Sequence, residues 1–284
     1  MSPGLKRGAG TLVAILLALA VAACSGDGKV EDWKVYAIEY GSSRYPHRAM
    51  VHDAPEGERS PMSWQVWLIE GAGRTILVDT GFASAALAKR WKIEGFSPAD
   101  EIIGEIGVSP GEVTDVILTH LHWDHAGNLS PWKNARFWIQ ASEVEWARAM
   151  VSEERPHRGG IRLRDLRALE AIGKRGRLVM LPGDREIAPG VTAHEGGKHT
   201  GGTQWIHVDR KRLPDVILAS DNAYLRENVD RLVATGSCIN PEENLAALEE
   251  MVSTVPDRRF ILPGHDPVTM RLFGKVAKHS VEVR

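Results

Sequence analysis

The sequence predicts an α/β domain in which β-sheets are sandwiched and covered by helices. Two observations predict it. Short runs rich in Val, Ile, Trp and Phe alternate with longer amphipathic stretches from Trp33 onward, and sheets that bury one face under helices give that alternation. No internal repeat and no linker divides the chain after residue 33, so one domain is expected there. At 284 residues and 43% hydrophobic, the chain is long enough to bury a full core.

Taken in order, strands are expected at 34–40, 64–70, 75–79, 116–118, 136–140, 178–181, 191–194, 204–208, 216–219 and 260–262, because β-branched and aromatic residues favour the pleated sheet. Gly71-Ala72-Gly73 separates the second and third of these and reads as a hairpin turn, since tight hairpins need positive φ. Helices are expected at 83–91, 99–106, 142–151, 163–172 and 241–255. The last has three start signals: Asn240 as a cap, Pro241 in the first turn and Glu243 to complete a capping box. The polar stretch 41–61 is too long for a routine connection and is expected to be disordered or a flap over a site.

The first thirty residues read differently. Lys6 and Arg7 precede an uncharged run, 11–23, rich in Leu, Val and Ala. Spanning ~30 Å of hydrocarbon takes about 20 apolar residues, and this run is shorter, so it reads as an export signal. It ends in Val21-Ala22-Ala23-Cys24, which resembles a bacterial lipobox. Cys24 would then carry a lipid anchor, with residues 1–24 as signal, 25–32 as a polar tether and 33–284 as the folded domain. The expected location is outside the cytoplasm, membrane-anchored; a soluble secreted protein cut near Ala22 or Ala23 is the alternative. The only other thiol is Cys238, so a lipidated Cys24 leaves no disulfide, and Cys238 reads as a small buried residue. A formal net charge of −2 gives no sign of a nucleic-acid partner.

Chemistry concentrates in Thr119-His120-Leu121-His122-Trp123-Asp124-His125-Ala126-Gly127, directly after the apolar run Val116-Ile117-Leu118. Three imidazoles and a carboxylate within six residues are hard to satisfy by core hydrogen bonding, since each buried ring needs partners at both nitrogens. Alternation in an extended loop aims His120 and His122 to one side, with Asp124 and His125 around the next bend. They could then serve two adjacent divalent metals. Imidazole and carboxylate donors suit Zn2+, though iron, manganese and cobalt accept the same set. His47, His52, His157, His207 and His279 lie in no motif and read as ordinary residues, and His194 stays open.

His-x-His-x-Asp-His at a strand end resembles the metallo-β-lactamase superfamily, and that resemblance spans about residues 35–269. It implies a four-layer αβ/βα sandwich, with 33–284 as the catalytic domain. It also implies the remaining ligands in order: His199 in Gly196-Gly197-Lys198-His199-Thr200-Gly201-Gly202, Asp221 after Val216-Ile217-Leu218-Ala219-Ser220, and His265 in Pro263-Gly264-His265-Asp266. By analogy His120, His122 and His199 would hold one metal, Asp124, His125 and His265 the other, and Asp221 would bridge. A hydroxide shared by the pair would be the nucleophile, and Asp124 would also relay a proton to the leaving oxygen. Asp79, in Ile76-Leu77-Val78-Asp79-Thr80-Gly81, would orient a ligand imidazole.

Within the superfamily, Asp221-Asn222-Ala223-Tyr224-Leu225-Arg226-Glu227-Asn228 is similar to the Asp-x-x-Tyr-x-x-Glu-Asn run of the quorum-quenching N-acyl-homoserine lactone lactonases. It implies a hydrolase acting on a small lactone or ester, with the Tyr224 hydroxyl bonding the developing oxyanion. Two departures stand beside it. Lys198 and Thr203 occupy positions where that family carries Gly and a second His, and the stretch 80–99 is shorter than the family's helical insertion. Asp221 argues against a true β-lactamase. Glyoxalase II-like thioesterases carry a helical domain after the last ligand, and with nineteen residues after His265 that branch is expected to fit less well. Other ester, thioester or β-lactam hydrolysis, a mononuclear-iron dioxygenase and a non-catalytic metal-binding protein are the alternatives.

Overall fold

The computed structural model describes residue 1, residues 32–151 and residues 160–284. The chain divides into Met1–Val30 and Glu31–Arg284, and the fold below is that of the second unit. The expected signal, Cys24 and the tether up to residue 31 lie outside the described residues, as does His157. Among the described residues no helix is long and apolar enough to cross a membrane.

The unit opens with a long hairpin, β1 (Lys34–Pro46) and β2 (Arg59–Gly71), with helix α1 (His47–Met50) in its connection. β3 (Arg74–Val78) returns through Ala72 and Gly73, both at positive φ (48° and 71°), the conformation a two-residue hairpin turn needs. Then come α2 (Ala85–Trp91), α3 (Ala99–Ile102) running into a 3-10 turn at Ile103–Ile106, β4 (Asp115–Ile117), β5 (Arg136–Gln140), α4 (Ala141–Met150), α5 (Leu163–Lys174) and β6 (Leu178–Leu181). The second half holds β7 (Arg185–Ala188), β8 (Val191–Glu195), β9 (Gln204–Val208), β10 (Val216–Ser220), α6 (Arg226–Arg231), α7 (Pro241–Thr254), β11 (Ile261–Pro263), α8 (Thr269–Leu272), β12 (Gly274–Ala277) and β13 (Ser280–Glu282).

These strands form two sheets, ordered β12-β13-β1-β2-β3-β4-β5-β6 and β11-β10-β9-β8-β7. Alternation along each strand sends side chains to opposite faces, and the core divides accordingly. Val66 and Leu68 of β2 pack with Ile102 of α3, Val144 of α4 and Leu169 of α5. Their neighbours Trp67 and Ile69 face the other way, meeting Ile206 of β9 and Leu218 of β10, in a cluster that extends to Leu248 and Met251 of α7. The layers are therefore helix, sheet, sheet and helix, the sandwich that the sequence predicts.

The stretch 41–61 is ordered, which corrects the first of its two expectations, and through Tyr45 it reaches the cavity over the site described below. Past a bulge between Glu39 and Gly41, β1 and β2 stay paired from Gly41↔Trp64 out to Pro46↔Arg59. Main-chain hydrogen bonds hold the outer hairpin, so it needs no apolar alternation to be ordered. Gly41 lies close against Ile93 at the bulge, where a Cβ would meet the Ile93 Cγ2 methyl and force one of the two to shift. At α7, Asn240 caps as expected, its side chain accepting from the Glu242 and Glu243 amides. The full capping box is not formed: the Glu243 carboxylate takes the Asn240 side-chain amide at 2.6 Å instead of the cap's backbone N–H.

Candidate metal centre

Strand ends position the chemistry. Asp79 follows β3, the loop holding His120 to His125 follows β4, Asp221 follows β10, and His265 follows β11. β3 with β4, and β10 with β11, are parallel pairs, so each pair presents its carboxyl ends together. His199 joins from the Gly-rich turn between β8 and β9. Of the six non-glycine residues with positive φ among the described residues, Asp79 (61°), Lys198 (42°) and Ser220 (49°) adjoin this site. Such conformations cost about 1–3 kcal/mol each and persist only where surrounding contacts enforce them.

The structure brings all seven sequence-predicted donors together, in two groups. In one, His120 Nε2 and His199 Nε2 each lie 3.0 Å from His122 Nδ1, and Asp221 Oδ2 is 3.2 Å from His199 Nε2 and 3.8 Å from His120 Nε2. In the other, Asp124 Oδ2 is 3.4 Å from His125 Nε2 and 3.7 Å from His265 Nε2. Asp221 Oδ1 joins this second group, 3.2 Å from His125 Nε2 and 3.0 Å from His265 Nε2. One carboxylate thus offers an oxygen to each group.

Hydrogen bonding does not account for this convergence. His125 Nε2, His265 Nε2 and Asp221 Oδ1 are buried and make no hydrogen bond among the described residues, a costly state for polar atoms. Donors about 2.0–2.1 Å from a shared zinc-sized ion lie roughly 3.3 Å apart at the tetrahedral angle, which is the spacing seen here. The residues fit divalent ions. Protonation agrees: burial holds His199 down at about 3 and His120 well below 6.5, so both imidazoles are in the neutral form that ligates. At His125 burial opposes charge, yet Asp221, Asp124 and Asp79 push its pKa well above 6.5. Three carboxylates around one ring make a potential that demands a cation, proton or metal.

The outer nitrogens of His120, His125 and His265 are also fixed. Asp79 Oδ2 takes His125 Nδ1 at 2.7 Å, while Asp79 Oδ1 accepts from the Thr119 amide at 2.7 Å. Thr119 Oγ1 lies 3.0 Å from His120 Nδ1 and 2.8 Å from Ser220 Oγ, and His265 Nδ1 lies 3.0 Å from the Ser63 carbonyl. Sequence reasoning missed Glu143 of α4. Fully buried, it accepts from the Leu121 amide at 2.8 Å, from Thr200 Oγ1 at 2.7 Å and from the Gly202 amide at 2.9 Å, tying the histidine loop to the turn that carries His199.

A cavity of about 370 Å³ opens over the cluster and is lined by His122, Asp124, His199 and Tyr224 with Tyr45, Met62, Trp64, Trp91, Trp123 and Trp146. Tyr224 stacks on His265, ring centroids 4.9 Å apart. Burial, then the charges of Asp221 and Asp124, push its hydroxyl well above 10, so it remains a donor. The aromatic lining was not legible as a motif, because its rings come from β1, β2, α2, α4 and the histidine loop. Cys238 is half-buried rather than fully buried; its Sγ lies 2.9 Å from the Thr235 carbonyl and burial pushes the thiol up. His194 pairs with Asp184 at 2.8 Å and stacks on Trp205, apart from the cluster.

A two-sheet sandwich whose strand ends carry His and Asp groups suited to two metal ions defines a metallo-hydrolase. Residues 63–265 match the metallo-beta-lactamase superfamily, and the chain belongs to it. It is 25% identical to the N-acyl homoserine lactonase AiiA of Bacillus thuringiensis subsp. kurstaki, over 82% of this chain and 93% of that one. A solved quorum-quenching N-acyl homoserine lactone lactonase superposes with a TM-score of 0.70 at 24% identity, over 86% of this chain and 96% of that chain. An N-acyl homoserine lactone hydrolase with N-hexanoyl-L-homoserine bound at its catalytic metal centre gives 0.69 at 23% identity, over 86% and 97%.

Proposed function

We propose that this enzyme opens lactone rings of the N-acyl homoserine lactone kind, or closely related esters. His120, His122 and His199 would hold one divalent ion and Asp124, His125 and His265 a second, with Asp221 donating to both and zinc the first expectation. Bound ions of this kind polarise a carbonyl and acidify water enough to give a nucleophile near pH 7. The observation that carries the lactone reading is the place of Tyr224, stacked on His265 in the wall of the cavity over the cluster. Its protonated hydroxyl donates a hydrogen bond to the carbonyl oxygen as that oxygen gains charge. Asp124, at the cavity edge and 8% exposed, accepts a proton from the attacking water and returns it to the departing ring oxygen.

The test is a hydrolysis panel on the purified, metal-loaded chain, covering acyl lactones, aryl esters, thioesters and β-lactams, with Tyr224→Phe alongside. Lactones should be opened. In the variant kcat should fall roughly 10-fold or more, less than the 10²–10³-fold of a sole oxyanion donor, with metal content unchanged. Wild-type lactone turnover in Tyr224→Phe removes the oxyanion role; cleavage of thioesters or β-lactams without lactone opening overturns the reading.

We also propose that Cys24 is lipidated and holds the enzyme at a membrane outside the cytoplasm. Its support is the sequence alone: basic start, short apolar run and small residues before the thiol. The native protein should partition into detergent and Cys24→Ser should not; equal partitioning of the two overturns the anchor.

A further inference from the structure

We infer that the site selects lactones or esters bearing an aromatic ring on the part of the substrate away from the reacting carbonyl, an inference that rests on the function proposed above. Beside the donors His122, Asp124 and His199, the lining of the cavity is mostly aromatic, with Met62 and Ile239 the other apolar side chains. Trp123 lies between Trp64, at 5.4 Å and 44°, and Trp91, at 5.5 Å and 22°, and meets Phe82 edge-on at 4.9 Å. Tyr45 extends the wall, 6.1 Å from Trp91.

These rings are held before any substrate arrives. Trp64 is 2% exposed, its Nε1 donates to Ser43 Oγ at 3.0 Å, and its ring meets His265 edge-on at 5.5 Å. Trp91 is held by its stacking on Trp123 and remains 37% exposed. A second cavity of about 520 Å³ shares Trp91, Trp123 and Gly160 with the first. The stacked indole pair is thus a wall common to both.

An alkyl chain gains from any apolar wall but gives up the freedom of each rotor it orders. A planar ring has few rotors to lose, and against fixed indoles it also gains the offset or edge-to-face contact of paired quadrupoles. Walls made of fixed rings therefore favour an aryl group over an alkyl chain of equal carbon count.

The test compares phenylacetyl- and octanoyl-homoserine lactone, which share the reacting ring and the number of acyl carbons, on the full metal-loaded chain. Wild type should favour the phenylacetyl substrate in kcat/KM, chiefly through KM. Trp91→Leu should lower that preference about 2- to 10-fold, the range expected for one aromatic contact, and Trp91→Phe, which keeps a ring, should retain most of it. Preference for octanoyl in wild type, or an unchanged ratio in Trp91→Leu with metal content intact, overturns the inference while leaving the lactonase reading standing. Hydrolysis of neither substrate overturns both together.

Discussion

Asp79 carries one of the densest sets of contacts at the site, taking His125 Nδ1, the Thr119 amide and Thr119 Oγ1, each at 2.7 Å. It does so from a positive φ of 61°, so the strand end is bent to aim it. A carboxylate behind a ligand imidazole fixes its tautomer and raises its basicity. Asp79→Asn should therefore weaken zinc affinity about 10- to 100-fold, read by competition with a chromogenic chelator; unchanged affinity would remove Asp79 from the support of His125. The residue was legible in the sequence through the superfamily resemblance, since an Asp ending an apolar strand run by itself reads as a turn residue. The departures at Lys198 and Thr203 also find a local reason. Thr203 Oγ1 accepts from the Thr200 amide at 2.7 Å, and Lys198 Nζ donates to the Gly201 carbonyl at 2.9 Å, so the turn bearing His199 closes on itself. Glu143 was not legible, since one Glu on an amphipathic helix reads like any solvated one until the fold brings Thr200 and Gly202 to it.

At the scale of elements, strands dense in Val, Ile and Trp were legible to within a few residues, because burial on both faces leaves long apolar runs. β7, β12 and β13 were not. Arg185–Ala188 is four residues long with exposed and buried positions in blocks rather than in alternation, Gly274–Ala277 exposes most of its side chains, and Ser280–Glu282 is three residues long, so none shows a pattern apart from its partner. α1, α6 and α8 run four to six residues, too short for a 3.6-residue period to repeat. The histidine cluster was legible because its donors are contiguous in the chain. The cavity walls were not, because Tyr45, Trp91 and Trp146 converge from three elements. The outer β1–β2 hairpin shows the same limit: ladder pairing orders it and carries Tyr45 and Met62 to the cavity, although its composition reads as loop.

For the molecule as a whole, the two sheets meet through an apolar interface that includes Trp67, Ile76, Trp205 and Leu218. That packing sets strand ends from both sheets around one point. Asp221 comes from the second sheet and His120, His122, Asp124 and His125 from the first, so the donor set exists only when the sandwich is assembled. Occupancy by two ions, joined through Asp221, is the central claim. The direct measurement is a zinc titration of the metal-stripped chain, following bound metal by elemental analysis and lactone turnover together, for wild type and Asp221→Asn. Turnover should rise to its maximum as bound zinc approaches two per chain, and the variant should lose both ions together because one carboxylate offsets the repulsion between two cations. Maximal turnover at one zinc per chain, or an Asp221→Asn variant that keeps both ions and full activity, would contradict it.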